Sequence, residues 1–493
     1  MTNLSDLFPA GAGKQVSFVA DGSISAAGKP VILTAAGKVT PVGMGPGSDV
    51  GTPVVFRPSR VDDVSSTFDS NSNKVVFAYN DPTLSFNGYA VVGTVSGTAI
   101  SFGTPVAFET GGTASHVACT FDSNENKVVI AYRDNSNSHY GTAIVGTVSG
   151  TAISYGTAVV FDSTGYSSFP ACTFDSDSNK VVIVYQDYLG ATPNYQGHAV
   201  VGTVSGTSIS FGTAVIFNAG SASEAFGATF DSDSNKVVIA YSDNSNSHYG
   251  TGIVGTVSGT SISFGSEAVF ESSSSAEITA TFDSNSNKVV ISYSDTGSSQ
   301  HGTAVVGTVS GTSISFGTPV VFEAADTNTP SATFDSGSNV VVIAYEDVGN
   351  SEYGTVIQGT VSGTSISFGS AAVFESAVVS YTSATFDSNS NKVAIGYQDE
   401  GNSDYGTGVV YSTTATNLTA ANFIGISDAA ILDTASGNVT IKGGIAATGL
   451  TSLTSGSDYY AQGDGTISTV TTSPAVKIGK AMSATSINLE YQS

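Results

Sequence analysis

The residues of this 493-residue chain that could do chemistry are mostly acids, and most recur at fixed spacing. Asp81, Asp134, Asp187, Asp243, Asp295, Asp347 and Asp399 each close an apolar run of the type Val-Val-Ile-Ala-Tyr. An Asp at a strand end takes up the free amides of the loop that follows, so these seven are expected to cap loops. A second set, Asp-x-Asn-x-Asn at 69–73, 283–287 and 387–391, places oxygens at alternate positions, as the first half of a calcium loop does. It lacks the central Gly and the closing Glu, so a tight turn with an Asp–Lys pair at its base is expected instead of a metal site. The histidines His116, His139, His198, His248 and His301 have no ligand spacing, and neither metal nor cofactor is expected. A sialidase-type site needs several arginines to clamp a carboxylate. The chain has only Arg57, Arg60 and Arg133, and no Trp. A carboxylate pair able to cleave a polysaccharide stays open among 40 acidic residues, but no unrepeated cluster stands out, and the protein is expected not to be an enzyme.

Aromatic side chains offer a different chemistry. The longest of the loops after those aspartates, at 187–195, brings Tyr188 and Tyr195, and the neighbouring loop brings Tyr166 and Phe169. Rings of this kind stack on sugar faces while nearby acids and amides bond the hydroxyls. Tyr166, Phe169, Tyr188 and Tyr195 are therefore the candidate ligand-binding residues.

The scaffold for these residues is a repeat. A Phe-Asp anchor falls at Phe68, Phe121, Phe174, Phe230, Phe282, Phe334 and Phe386, a period of 52 to 56 residues. Such a period with short strands marks propeller blades. Each copy reads as four strands: Ser-Ala-Thr-Phe-Asp (a), Lys-Val-Val-Ile-Ala-Tyr-x-Asp (b), Gly-Thr-Ala-Val-Val-Gly-Thr-Val (c) and Ser-Ile-Ser-Phe-Gly-Thr-Pro-Val-Val-Phe (d). Strands apolar at successive positions are expected where both faces of a sheet are covered, as in stacked blades. The seventh copy stops after strand c, at Tyr405 to Tyr411, while a lone d-like segment, Gly51 to Phe56, precedes the first a strand. Residues 51–56 are thus expected to complete the last blade, leaving no open edge. The fold class is all-β: a seven-bladed propeller of four-stranded blades at 50–411, closed by strands from both ends, with a small discontinuous β domain from 1–49 and 412–493.

Net charge −25 repels phosphate backbones and anionic lipid heads, so neither nucleic acid nor membrane is an expected partner. No run approaches the ~20 apolar residues of a membrane helix, no signal peptide is evident, and a soluble product made in the cytoplasm is expected. Cys119 and Cys172 share one slot of the repeat, filled by Ala228, Ala280 and Ala332 elsewhere. They are expected to pack as small apolar residues rather than form a disulfide.

The flanks carry a resemblance. The opening MTNLSDLFPAG and FVADGSISAAGKPVILTAAGKVTPV, with Gly449-Leu450, Gly456-Ser457-Asp458-Tyr459-Tyr460, Asp464-Gly465 and Gly479-Lys480-Ala481-Met482-Ser483-Ala484-Thr485, are similar to the β-rich modules of tailed-bacteriophage appendage proteins such as tail fibres, tail tips and head fibres. The resemblance implies a virion protein with structural, non-catalytic work, other virion proteins as partners, and homo-oligomers, often trimers. Repeat turns a–b and c–d are nearly constant, whereas the b–c slot varies from blade to blade, so the face bearing the b–c and d–a loops is the expected adhesive side. A host-surface glycan or receptor is the expected ligand. A decoration or spacer touching only virion proteins is the alternative.

Overall fold

The computed structural model describes residues 14–490, apart from 22, 35–36, 43, 191–194, 221, 417, 420, 463–464 and 470–474. The chain divides into two compact units, Asp49–Thr413 and the pair Met1–Ser48 with Thr414–Ser493.

The larger unit is a seven-bladed propeller. Blade one is Asp62–Asp69 (a), Lys74–Asp81 (b), Asn87–Ser96 (c), and a d strand in two pieces, Ala99–Phe102 and Val106–Glu109. Both d pieces pair with strand c, in separate registers (Gly93 opposite Phe102, Ala90 opposite Val106). The single d strand read from the sequence is thus broken at Gly-Thr-Pro, 103–105, in part because Pro has no N–H to offer the ladder. From blade four onward the outer strand of one blade runs without a loop into the inner strand of the next, as in Ala268–Asp283, Val320–Asp335 and Ala372–Asp387. No free d–a loop exists at these crossings, and the variable face there consists of the b–c loops alone.

Side-chain alternation explains the stacking. Val75, Phe77 and Tyr79 of strand b pack toward blade seven, with Ala394 and Val410, while Val76 and Ala78 pack toward blade two, with Ile130 and Tyr132. The run is apolar at each step because each step faces a blade, and all five residues are fully buried. The inner a strands touch in sequence around the ring, and Asp62–Asp69 meets both Ala114–Asp122 and Ala372–Asp387.

Closure occurs where the repeat count required it. The strand Val54–Arg60 pairs antiparallel with Tyr405–Thr416, Val54 opposite Gly408 and Val55 opposite Thr407. A glycine marks the same event in six of the seven blades. A Cβ at Gly103 would lie 1.9 Å from the Thr151 carbonyl oxygen of the next blade's c–d turn, and one at Gly51 would lie 1.9 Å from that of Thr98. Gly51 therefore occupies for blade seven the place Gly103 occupies for blade one. Gly369 faces a blade with no c–d turn, and its Cβ would meet nothing closer than 3.9 Å.

The a–b turns form without ion pairs. Asp69 Oδ1 accepts from the amides of Asn71 and Ser72, both 2.9 Å, and Asn73 closes the turn at φ 54°. Lysine stands opposite the aspartate in register (Asp69 with Lys74), yet the expected Asp–Lys pair does not form. The ammonium turns to carbonyls instead: Lys236 Nζ donates to Ser234 O and Asn235 O at 3.4 and 3.2 Å. Cys119 and Cys172 are free, and burial pushes the Cys119 thiol up to about 12.

Among the described residues the smaller unit has two five-stranded sheets. One interleaves Gln15–Val19, Pro30–Leu33 and Val39–Pro41 with Phe423–Ser427 and Ser436–Ile441; the other is formed by residues between Ile445 and Leu489. Ile32, Phe423 and Ile426 share a core with Tyr459, Ile478 and Ile487. The Gly449 of the appendage-like motif is structural: with φ 71°, its Cβ would lie 2.4 Å from the Ala27 carbonyl. Asp464 of that motif lies outside the described residues, as do 1–13.

Candidate functional site

In six blades the b–c loop shares one backbone frame that carries changeable side chains. Five of the seven aspartates after strand b cap short turns, as Asp81 Oδ1 accepts from Thr83 N at 2.9 Å and Asp243 Oδ1 from Ser245 N at 3.0 Å, whereas Asp187 and Asp399 make no such cap bond among the described residues. Two successive left-handed residues follow, a serine and a variable partner, as in Ser85–Phe86, Ser247–His248, Ser299–Gln300, Ser351–Glu352 and Ser403–Asp404. The partner's carbonyl is spent on the next blade: Phe86 O accepts from Ala114 N (2.9 Å), Gln300 O from Thr327 N (3.0 Å). Its side chain is what varies. Constant backbone bonds thus carry changing side chains, the arrangement expected of a recognition surface.

Blade three departs most from the pattern. Cross-strand pairing puts Tyr166 opposite Tyr188 and Tyr188 opposite Tyr195. The rings form a row with centroid spacings of 5.7 and 4.9 Å, extended by His139 at 4.5 Å from Tyr166. Tyr166 is 48% and Tyr195 40% exposed. Three of the four candidate residues are therefore brought together; the loop tip between them, 191–194, lies outside the described residues. Beneath them Thr164 Oγ1 lies 2.6 Å from Asp162 Oδ1 and 2.9 Å from Asp187 Oδ2. Asp187 is fully buried, and that burial, reinforced by the Asp162 charge, pushes its carboxyl up to about 6. This pair supports the loop and does not reach the surface.

Phe169 goes elsewhere. Its ring packs on His116 at 4.1 Å, in a cavity of about 480 Å³ lined by the inner strands of all seven blades. Near its b–c end each inner strand has a β-bulge, for example between Ser115 and Ala118, and between Ala276 and Thr279. The bulge residue is left-handed and never glycine in six blades: Asp63, His116, Phe169, Glu277, Thr329 and Tyr381, with φ from 43° to 53°. Bulges re-aim side chains, here toward the ring centre. Asp63 Oδ2 accepts from Asn80 Nδ2 (2.7 Å) and His116 N (2.6 Å). Burial pushes Asp63 up to about 6 and pushes the His116 imidazole down to about 4. Apart from Phe169, these residues are absent from the sequence candidates. Their signal was the one column, six residues before the anchor Asp, that differs in all seven copies.

The three arginines are all engaged, far from forming a clamp. Arg57 pairs with Asp81 at 2.6 Å and Arg60 with Asp62 at 2.9 Å, while Arg133 donates to Asn135 Oδ1 (2.7 Å) and Ser168 Oγ (3.0 Å). No group of acids, histidines or cysteines fit to hold a metal ion occurs among the described residues.

No protein-family model and no curated protein matches the sequence. Similar solved structures include a lectin from Burkholderia pseudomallei, at TM-score 0.52 and 11% identity over 72% of this chain and 96% of that one. A NanB sialidase from Streptococcus pneumoniae reaches 0.43 at 11% identity over 73% and 70%. The fucose-specific lectin of Aleuria aurantia reaches 0.40 at 13% over 64% and 96%. At 11% identity the likeness to the Burkholderia lectin is one of fold alone.

Proposed function

We propose that this protein is a non-enzymatic structural component of a phage virion appendage, which holds a host-surface glycan on the b–c face of its propeller. The observation that carries the reading is the row Tyr166, Tyr188 and Tyr195, in register across three strands and exposed at its ends. Side-by-side aromatic faces bury the apolar side of a sugar, and the polar loop residues around them take its hydroxyls. The similar Burkholderia protein is a lectin, which agrees with sugar as the ligand class. The appendage assignment rests on the flank motifs; in this reading the smaller unit docks on other virion proteins, and the assembly is a homo-oligomer, such as a trimer. Engagement of all three arginines and burial of the Asp162–Asp187 pair support binding without cleavage.

The test is adsorption of virions carrying Tyr188→Ala with Tyr195→Ala. Loss of adsorption to host cells, with the purified protein melting as before, is expected. Unchanged adsorption, with cross-links only to virion proteins, would favour a spacer. Shortened capsule or lipopolysaccharide chains after incubation would favour a hydrolase.

A further inference from the structure

Backbone strain in the ring centre points beyond the tyrosine row. A left-handed non-glycine residue is strained, and the strain is highest for branched or bulky types such as Thr329, Phe169 and Tyr381. Glycine would remove it, yet none of the seven copies places glycine there; blade four has Ala225. Thr-Phe-Asp at the end of the strand is the same in all seven copies, and the columns on either side of the bulge residue vary but reuse residue types, Ser at 115, 168 and 380 and Val at 64 and 117, whereas the bulge column never repeats one. Six of these residues, each of a different type and left-handed at a bulge, line one cavity, which describes a socket built once from a repeat.

Two polar atoms in that socket are not used. Both hydrogen bonds to Asp63 go to Oδ2, so Oδ1 has none among the described residues. Thr329 Oγ1 is buried with no hydrogen-bond partner among them. Glu277 adds an exposed carboxylate and Tyr381 and Phe169 add rings. Acceptors, a hydroxyl and aromatic faces in a space of about 480 Å³ match the hydroxyls and apolar faces of a pyranose. The charges facing Asp63 are Asp62, which repels, and Arg133, which attracts but is already bonded to Ser115, Asn135 and Ser168. With Glu277 and Asp63 in the wall, an acidic sugar meets like charge.

We infer that the central cavity is a second, single-copy binding site for one non-acidic sugar unit, its hydroxyls held by Asp63, Glu277 and Thr329 and its face by Phe169 or Tyr381. The inference rests on the glycan reading and adds to it the ligand's charge class and a place where a chain end is read. Tyr166 and Phe169 lie three residues apart on one strand, roughly 10 Å, so one glycan can engage both.

The experiment is saturation-transfer NMR on the full chain with methyl glucoside, methyl galactoside and methyl glucuronide. Transfer to a neutral glycoside is expected, with the glucuronide weaker by about tenfold or more. Glu277→Gly and Thr329→Gly are each expected to abolish it while the melting temperature holds or rises, because glycine relaxes the left-handed backbone. Tyr188→Ala with Tyr195→Ala is expected to leave it intact. The inference is overturned if no neutral glycoside binds, if the glucuronide binds equally, or if both glycine variants retain binding. Should only the tyrosine variant lose the glycosides, the surface reading survives and the cavity site does not.

Discussion

Arg57, on the strand that closes the ring, forms a 2.6 Å ion pair with Asp81 at the end of strand b of blade one. Its Nε donates to the same Oδ2 at 2.7 Å, its guanidinium lies 4.9 Å over the Tyr89 ring, and Ser59 Oγ adds a third bond at 2.8 Å. The Asp81 side chain is fully buried. Burial alone would raise its carboxyl, but bonds from Thr83, Ser59 and Arg57 hold it below the ordinary value. In blades one, four, five and six the equivalent outer-strand position is a glutamate taking the Tyr hydroxyl of the next blade, as Glu271 takes Tyr293 at 3.0 Å. The closing strand thus exchanges a repeated contact for a charged clasp found at one place in the ring.

Removal of that clasp leaves a buried carboxylate without its cation. Arg57→Ala is expected to lower stability by about 3–5 kcal/mol, read from urea unfolding, with the loss reduced when Asp81→Asn is added.

A methyl group at the seam is the second probe. Gly51→Ala places Cβ against the Thr98 carbonyl, whereas Gly369→Ala meets open space. The first is expected to cost about 1–3 kcal/mol and the second to change the melting temperature little. Equal effects would mean that the seam does not close the ring in solution.

Acid titration has a defined sign. Asp63 and Asp187 have folded values near 6 against an ordinary 3.8, so between those limits the folded state binds more protons and stability falls as pH rises. His116, lowered to about 4 from 6.5, works in the opposite direction over an overlapping range. Asp187→Asn, which removes one falling component, is expected to make the protein relatively more stable at pH 7 than at pH 4.5. Thermal melts across that interval check it.

The a–b turns are the last test. With Oδ1 of each anchor aspartate already accepting two amides, as Asp387 does from Asn389 and Ser390 at 2.9 and 3.1 Å, a chelator is expected to leave the melting temperature unchanged. Stoichiometric calcium binding in calorimetry at micromolar levels would contradict this.

Blade number, strand order and the latch were legible because each rests on patterns local to one repeat: the Phe-Asp anchor, the doubly apolar strand b, and the unmatched Gly51–Phe56. The tyrosine row was legible because loop length exposes it. The central socket was not. A left-handed His116 or Phe169 has no local signature in a Ser-x-Val-Ala or Ser-x-Pro-Ala stretch, since the bulge arises from seven inner strands crowding one axis. The Asp–Lys pair was expected from adjacency in register, which says nothing of the carbonyls that compete for the ammonium.

The latch also orders events during synthesis. Val54–Arg60 leaves the ribosome before any blade, and its partner, Tyr405–Thr416, follows all the other blade strands. While the blades are being made the nascent chain has a strand without a neighbour, and completion waits on one contact spanning some three hundred and fifty residues. The entropic toll of so long a loop grows only slowly with length, but contacts so distant form late. A chain truncated before Tyr405 would keep its stacked blades and be left with two exposed rims, able to pair with another copy.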